Sequence, residues 1–99
     1  MLEIRKSDTY EHWFRKLKDR HAQVRINARI RRVEETGNLG DVKLVREGVS
    51  EMRIDYGSGY RVYFIRRGSL IVVLLAGGDK RTQDADIKTA IRVAQEWRD

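Results

Sequence analysis

The sequence predicts a small α+β domain of element order β-α-α-β-β-β-α. Three observations carry that expectation. Residues 10–17 and 22–36 repeat apolar side chains at helical spacing, residues 49–76 alternate or run apolar at strand length, and residues 82–97 return to the helical period. No proline occurs and no linker composition interrupts the 99 residues, so the chain reads as one domain, 1–99. A chain of this length buries most of what its unfolded form exposes and needs no covalent staple.

Taken in order, LEIRK at 2–6 alternates weakly and makes a short first strand. Asp8 is placed to cap the first helix, with Glu11 three positions on completing a capping box. Tyr10, Trp13, Phe14 and Leu17 follow at i, i+3, i+4 and i+7, a spacing that makes them core rather than a base-stacking platform. KDRH at 18–21 interrupts the pattern. The second helix, 22–36, turns Ile26, Ile30 and Val33 inward and ends at Gly37, which tolerates the left-handed position after a helix. The two helices form a hairpin whose apolar seam faces a sheet. GNLGDVKLVREG, 37–48, reads as a turn-rich connection without periodicity. Strands are expected at 49–55, 60–67 and 70–76, with Gly68-Ser69 as a two-residue type II′ turn between the last two. LIVVLLA is apolar on both faces, the mark of a central strand covered on both sides. After GGDK the last helix, 82–97, carries Ile87, Ala90, Ile91 and Ala94 on one stripe.

The hairpin EMRIDYGSGYRVYF places arginines inside strands, and its register decides which side chains share a face. Pairing Asp55 with Tyr60 would mix charge into both faces. A three-residue loop Gly57-Ser58-Gly59 instead pairs Tyr56 with Tyr60, Ile54 with Val62 and Met52 with Phe64, giving a clean apolar face. The other face then gathers Glu51, Arg53, Asp55, Arg61, Tyr63 and Arg67, with Ile65 its one aliphatic member. On such an open polar face, truncation of Arg61 is expected to leave folding intact. Paired guanidinium groups can hold a phosphate and stabilise charge building on it, and an aromatic ring can stack a base. Lys80 follows two glycines near a helix N-terminus, a favourable place for an anion. The plainer alternative makes Arg53 a partner of Asp55 or Glu51, and Arg61 a wet-face charge.

Composition narrows the classes. Twenty-one basic against 15 acidic residues give a formal charge of +6, which favours a partner with phosphates or an acidic surface. There is no cysteine, hence neither a disulfide nor a thiolate metal site. The start lacks a signal-peptide run and the longest apolar run is strand-sized, so a soluble cytoplasmic protein away from membranes is expected. His12 and His21 have no acidic partner at metal spacing, and no serine stands at a motif spacing from a histidine. No metal and no cofactor are expected. GSG and GGD are too short for phosphate-loop signatures.

The combination GVSEMRIDYGSGYRVYF and LLAGGDKRTQDADIKTA, with RINARIRRVEETGNLGDVK before it, resembles the RelE/ParE-superfamily toxins of type II toxin–antitoxin modules. It looks closest to the HigB-like group, the addiction-module killer proteins. The resemblance covers nearly the whole chain and implies the RelE-like toxin fold, ribosome-dependent mRNA cleavage with the RNA 2′-hydroxyl as nucleophile, and a metal-independent site. It also implies a cognate antitoxin, of helix-turn-helix type, that brings operator DNA, and the ribosome with its mRNA as target. Matched residue by residue, Arg61 of GYRVYF takes the place of the family's phosphate-stabilising arginine, Arg53 that of a basic strand residue, and Lys80 the basic position after the last strand. Some relatives carry a tyrosine or histidine beyond that position; here the chain reads RTQDAD, which leaves the proton-transfer residues unassigned.

RNA contacts are expected from Lys43, Tyr63 and Arg81, and from Arg25 and Arg29, which with Arg32 lie on one side of the second helix. A solvated helix face explains the last three equally well, and loop anchoring explains Lys43 better. Two rival functions fit the fold: a non-enzymatic ParE-like toxin that binds DNA gyrase, and a stand-alone RNA-binding module. Three cations on one face argue against the first, and an adjacent antitoxin gene would argue against the second.

Overall fold

The computed structural model describes residues 2–98. Its elements are β1 (Glu3–Lys6), α1 (Asp8–Arg15), α2 (Arg20–Thr36), β2 (Val42–Arg46), β3 (Val49–Ile54), β4 (Tyr60–Arg67), β5 (Ile71–Asp79), a 3₁₀ turn (Lys80–Thr82) and α3 (Gln83–Glu96). The five strands form one sheet in the order β1-β5-β4-β3-β2, with β1 parallel to β5 and the other pairs antiparallel. The α+β class is as expected, but the sheet has one strand more than the sequence suggests.

That strand is β2, inside the stretch read as a connection. It pairs with β3 through Val42–Met52 and Lys43–Glu51. Glu47 and Gly48 both take positive φ (50° and 81°), the backbone of a two-residue type I′ turn. The turn between β4 and β5 also differs: Arg67 pairs with Ile71, so Gly68, Ser69 and Leu70 form a three-residue connection and Leu70 stays 63% exposed. β5 runs on through Gly77 and Gly78 to Asp79, beyond the predicted end at 76. The α1 cap is Ser7, not Asp8: its hydroxyl accepts from the Tyr10 amide at 3.0 Å and donates to the Leu75 carbonyl at 2.8 Å. Gly37 does close α2 at φ 75°, donating to the Val33 carbonyl.

The β3–β4 register lies two residues from the expected one. Ile54 stands opposite Tyr60, Met52 opposite Val62 and Arg53 opposite Arg61, across a five-residue loop rather than three. An even offset keeps every side chain on its face, so the partition into apolar and polar sides survives. On one side Met52, Ile54, Val62, Phe64, Val72 and Leu74 pack under the α1–α2 hairpin with Tyr10, Ile26, Ile30 and Val33. The other side is not the open polar face expected. Val49, Tyr63, Ile65, Val73 and Leu75 pack there under Ala90 and Val93 of α3. The helix covers half of that face and leaves uncovered the end where Arg53 lies.

Two adjacent glycines let both layers approach β5. A Cβ at Gly77 would enter the Trp13 ring from α1, and one at Gly78 would enter the Asp86 carboxylate from α3.

Candidate active site

The uncovered end of the sheet is a polar cleft of about 390 Å³ lined by Asp41, Arg53, Asp55, Gly57, Gly59, Arg61 and Lys80. The three residues assigned to phosphate chemistry therefore meet in one place. Arg53 and Arg61 arrive as a directly opposed pair on β3 and β4. Lys80 arrives from the 3₁₀ turn, its methylene stem laid over Gly59, where an added Cβ would stand about 3.0 Å from three of its carbons. Gly59 also holds φ 80°, so the residue type is required twice over.

The three cations are held differently. Arg53 gives Nε and Nη2 to one oxygen of Asp41, at 3.1 and 2.7 Å. These bonds, before any through-space attraction, hold the Asp41 carboxyl below the usual carboxylate range. Arg53 thus pairs with neither Asp55 nor Glu51, the partners its sequence neighbourhood suggested. Arg61 is no wet-face charge: it is 8% exposed and its Nη1 donates to the Gly59 and Tyr60 carbonyls at 3.1 and 3.2 Å. Its Nε stands 3.7 Å from Glu51, itself 3% exposed and accepting from the Gln83 side chain at 3.0 Å. Glu51 and Gln83 anchor Arg61 from behind, so its truncation would strand a buried carboxylate rather than leave folding untouched. Lys80 is exposed and supplies a charge open to solvent.

The remaining sequence-selected residues lie outside this trio. Arg81 flanks the cleft but is tied to Asp79, with Nη2 at 2.8 Å and its amide at 2.9 Å from that carboxylate. Bonds from Arg81 are the largest cause of an Asp79 pKa near 2, and the Ser58 hydroxyl adds to them. Lys43 is exposed on the edge strand opposite Glu51 and does not line the cleft. Tyr63 is fully buried under α3, its hydroxyl pushed up in pKa first by burial and then by Glu51, so no base can stack on it. The expected base stacking fails because α3 covers the face that strand alternation alone would leave open.

The α2 arginines do not act as a uniform rail. Arg29 donates Nη1 to the Arg53 carbonyl at 2.6 Å and Nη2 to the Leu39 and Asp41 carbonyls at 3.0 Å each. It fastens the 37–41 segment to β3, and with it the Asp41 carboxylate that holds Arg53. That clamp is a structural task and engages both Nη atoms. Arg25 lies over the Tyr56 ring at 4.8 Å, and Tyr56 stacks on Tyr60 at the hairpin tip. Sequence reasoning overlooked Asp41 and Gln83, because their partners are distant in sequence and no local spacing marks them. Among the described residues, no three His, Asp or Glu side chains cluster as a metal site, and no helix is long and apolar enough to cross a membrane.

Comparison with known proteins bears on this arrangement. A chain of the E. coli RelBE toxin–antitoxin complex superposes with a TM-score of 0.65 at 16% identity, covering 80% of this chain and 96% of its own. A mutant of the E. coli toxin RelE in the free state superposes at 0.72 with 15% identity, covering 92% and 95%. The fold is that of RelE. An uncharacterized protein of Haemophilus influenzae is 50% identical over 95 residues, 96% of this chain and 95% of its own length. The family model described as Phage derived protein Gp49-like (DUF891) matches residues 12–98, which take in the second half of α1, α2, the cleft and α3. By that match, this chain belongs to the Gp49-like family.

Proposed function

We propose that this protein is the toxin of a type II toxin–antitoxin module, HigB-like in kind, and that it acts as a ribosome-dependent mRNA endoribonuclease. The observation that carries the proposal is the convergence of Arg53, Arg61 and Lys80 on one open cleft of a RelE fold. The mRNA's own 2′-hydroxyl attacks the adjacent phosphate, so the protein has to hold and neutralise that phosphate and move two protons. Arg61, locked by Glu51 and two carbonyls, is a preorganised donor toward the phosphate oxygens, the kind of group whose loss typically costs about 10²–10³ in rate. Arg53 supplies a second guanidinium once phosphate competes with Asp41 for it, and Lys80 a flexible ammonium. Arg81, Lys43 and Arg25 are exposed cations placed to meet ribosomal or messenger RNA around the cleft.

The antitoxin in the RelBE complex supports a cognate antitoxin here. In this reading that antitoxin carries a helix-turn-helix domain and brings the pair to operator DNA. Inducing the protein in cells and mapping new RNA ends against reading frames tests the reading. Cuts inside translated frames, abolished by an antitoxin or by Lys80→Ala, are expected. Growth arrest with unchanged RNA ends and inhibited DNA gyrase would replace this reading with the ParE-like one.

A further inference from the structure

We propose that Asp55 accepts the proton of the attacking 2′-hydroxyl, with the RNA strand bridging two basic hollows that meet at this side chain. The inference rests on the endoribonuclease reading and names a group that reading leaves open. Asp55 lines the cleft of Arg53, Arg61 and Lys80, and it also lines a second hollow of about 460 Å³ between α2 and the end of β3. Arg25, Arg29 and Arg32 border that second hollow, over a floor of Ala28 and Ile54. Every internal ribose in a single strand has a phosphate on either side. A strand laid over the ridge sets consecutive phosphates in the two hollows and the intervening ribose above Asp55. A carboxylate repels the phosphates but accepts a hydrogen bond from a hydroxyl, so its place between two anion sites suits the 2′-OH.

The other acceptors near the cleft are engaged. Asp41 takes both bonds from Arg53, which lower its basicity. Glu51 is buried behind Arg61 and accepts from Gln83. Asp79 is held by Arg81 and Ser58. Tyr63 is buried, and neither His12 nor His21 lines either hollow. Asp55 is exposed and has neither a hydrogen bond nor an ion pair among the described residues, although three cations share its cleft.

The Asp55 carboxylate removes the 2′-O–H proton as that oxygen bonds to phosphorus. Arg53 and Arg61 hold the non-bridging oxygens while the bond from phosphorus to the 5′-oxygen breaks. The departing 5′-oxygen takes a proton from the Lys80 ammonium, leaving a 2′,3′-cyclic phosphate and a 5′-hydroxyl. Solvent then removes the proton from Asp55 and restores the one on Lys80.

Single-turnover cleavage on mRNA-programmed ribosomes tests the assignment with the whole protein, Asp55→Asn and Asp55→His. Asp55→Asn should slow cleavage about 10²–10⁴-fold, the usual weight of a positioned base. Its affinity for ribosomes whose mRNA carries a 2′-deoxy nucleotide at the cut site should stay within about threefold of the parent, well below the loss in rate. Asp55→His should restore part of the rate and add a limb that rises with pH through the imidazole range, about 6.5 before the surrounding Arg53, Arg61, Lys80 and Arg25 shift it. Asp55→Asn cleaving at the parental rate, or losing binding as much as rate, would overturn the assignment while leaving the endoribonuclease reading standing. A parent protein that cuts no ribosome-bound mRNA would remove that reading and this assignment with it.

Discussion

Removing the Arg61 guanidinium should cost stability as well as activity, and removing its buried partner at the same time should restore part of the stability. Arg61 and Glu51 are 8% and 3% exposed and face each other at 3.7 Å. Truncation of Arg61 to alanine leaves Glu51 as a buried carboxylate with the Gln83 amide and the Tyr63 hydroxyl beside it but without the guanidinium it faces. Breaking a buried pair this way costs about 3–5 kcal/mol. The separation exceeds hydrogen-bond reach, which places this pair at the low end, about 3 kcal/mol. With a melting entropy of about 2.1 cal/mol/K per residue, a domain of this size should then lose roughly 15 °C in Tm. Glu51→Gln keeps the side-chain shape and a partner for Gln83 but carries no charge. In the Arg61→Ala background it should return about 1–2 kcal/mol, within the range of coupling for residues in contact. Urea unfolding followed by circular dichroism on the parent, the two single variants and the double variant closes the cycle. Losses that add to within about 0.5 kcal/mol would show that the pair is not coupled and refute the argument.

Other parts of the site make separate predictions. Arg29→Ala should destabilise by about 2–4 kcal/mol through three lost carbonyl bonds, and Arg29→Lys should recover little, because an ammonium cannot span the carbonyls of Leu39, Asp41 and Arg53; amide exchange at 38–41 should rise in both. Gly59→Ala should lower cleavage by displacing Lys80, whereas Gly37→Ala, at a similar φ but with open space around it, should cost about 1–2 kcal/mol of backbone strain and leave cleavage alone; equal activities would separate Lys80 from the reaction. Asp79 has a folded pKa of about 2, below its unfolded value of about 3.9. Its contribution is therefore complete above pH 4 and fades as the pH falls toward 2, so acid titration of Asp79→Asn should show a flatter loss of stability across that window than the parent does.

The helices were legible because their apolar stripes are long, and the polar side of the β3–β4 hairpin was legible because face parity tolerates an even error in register. Tertiary requirements set what remained hidden. β2 carries Val42 and Val45 only half-buried at the sheet edge, ends in a register shift and turns through Glu47-Gly48, a weaker hairpin signal than Asn-Gly. Gly77 and Gly78 read as the start of a loop, yet they lie in β5 because Trp13 and Asp86 press on the strand from opposite sides. Arg53, Arg61 and Lys80 were found together because strand alternation and the end of β5 bring them to one place. The burial of Tyr63 followed from where α3 docks, which no spacing within the hairpin encodes. Arg29 bonds to backbone carbonyls, which have no sequence signature, so its clamp looked like one more charge on a helix face.

The most direct test of the central claim is the chemistry of the cut itself. Purified protein is mixed with ribosomes carrying an mRNA in the A site, either all-ribose or with one 2′-deoxy nucleotide at the cleaved position, and the ends are analysed. Rapid cleavage of the first to a 2′,3′-cyclic phosphate and a 5′-hydroxyl is expected, and none of the second, although both ribosomes bind the protein equally. Cleavage of the 2′-deoxy message, or ends carrying a 5′-phosphate, would mean that water attacks in place of the 2′-hydroxyl and would contradict the claim.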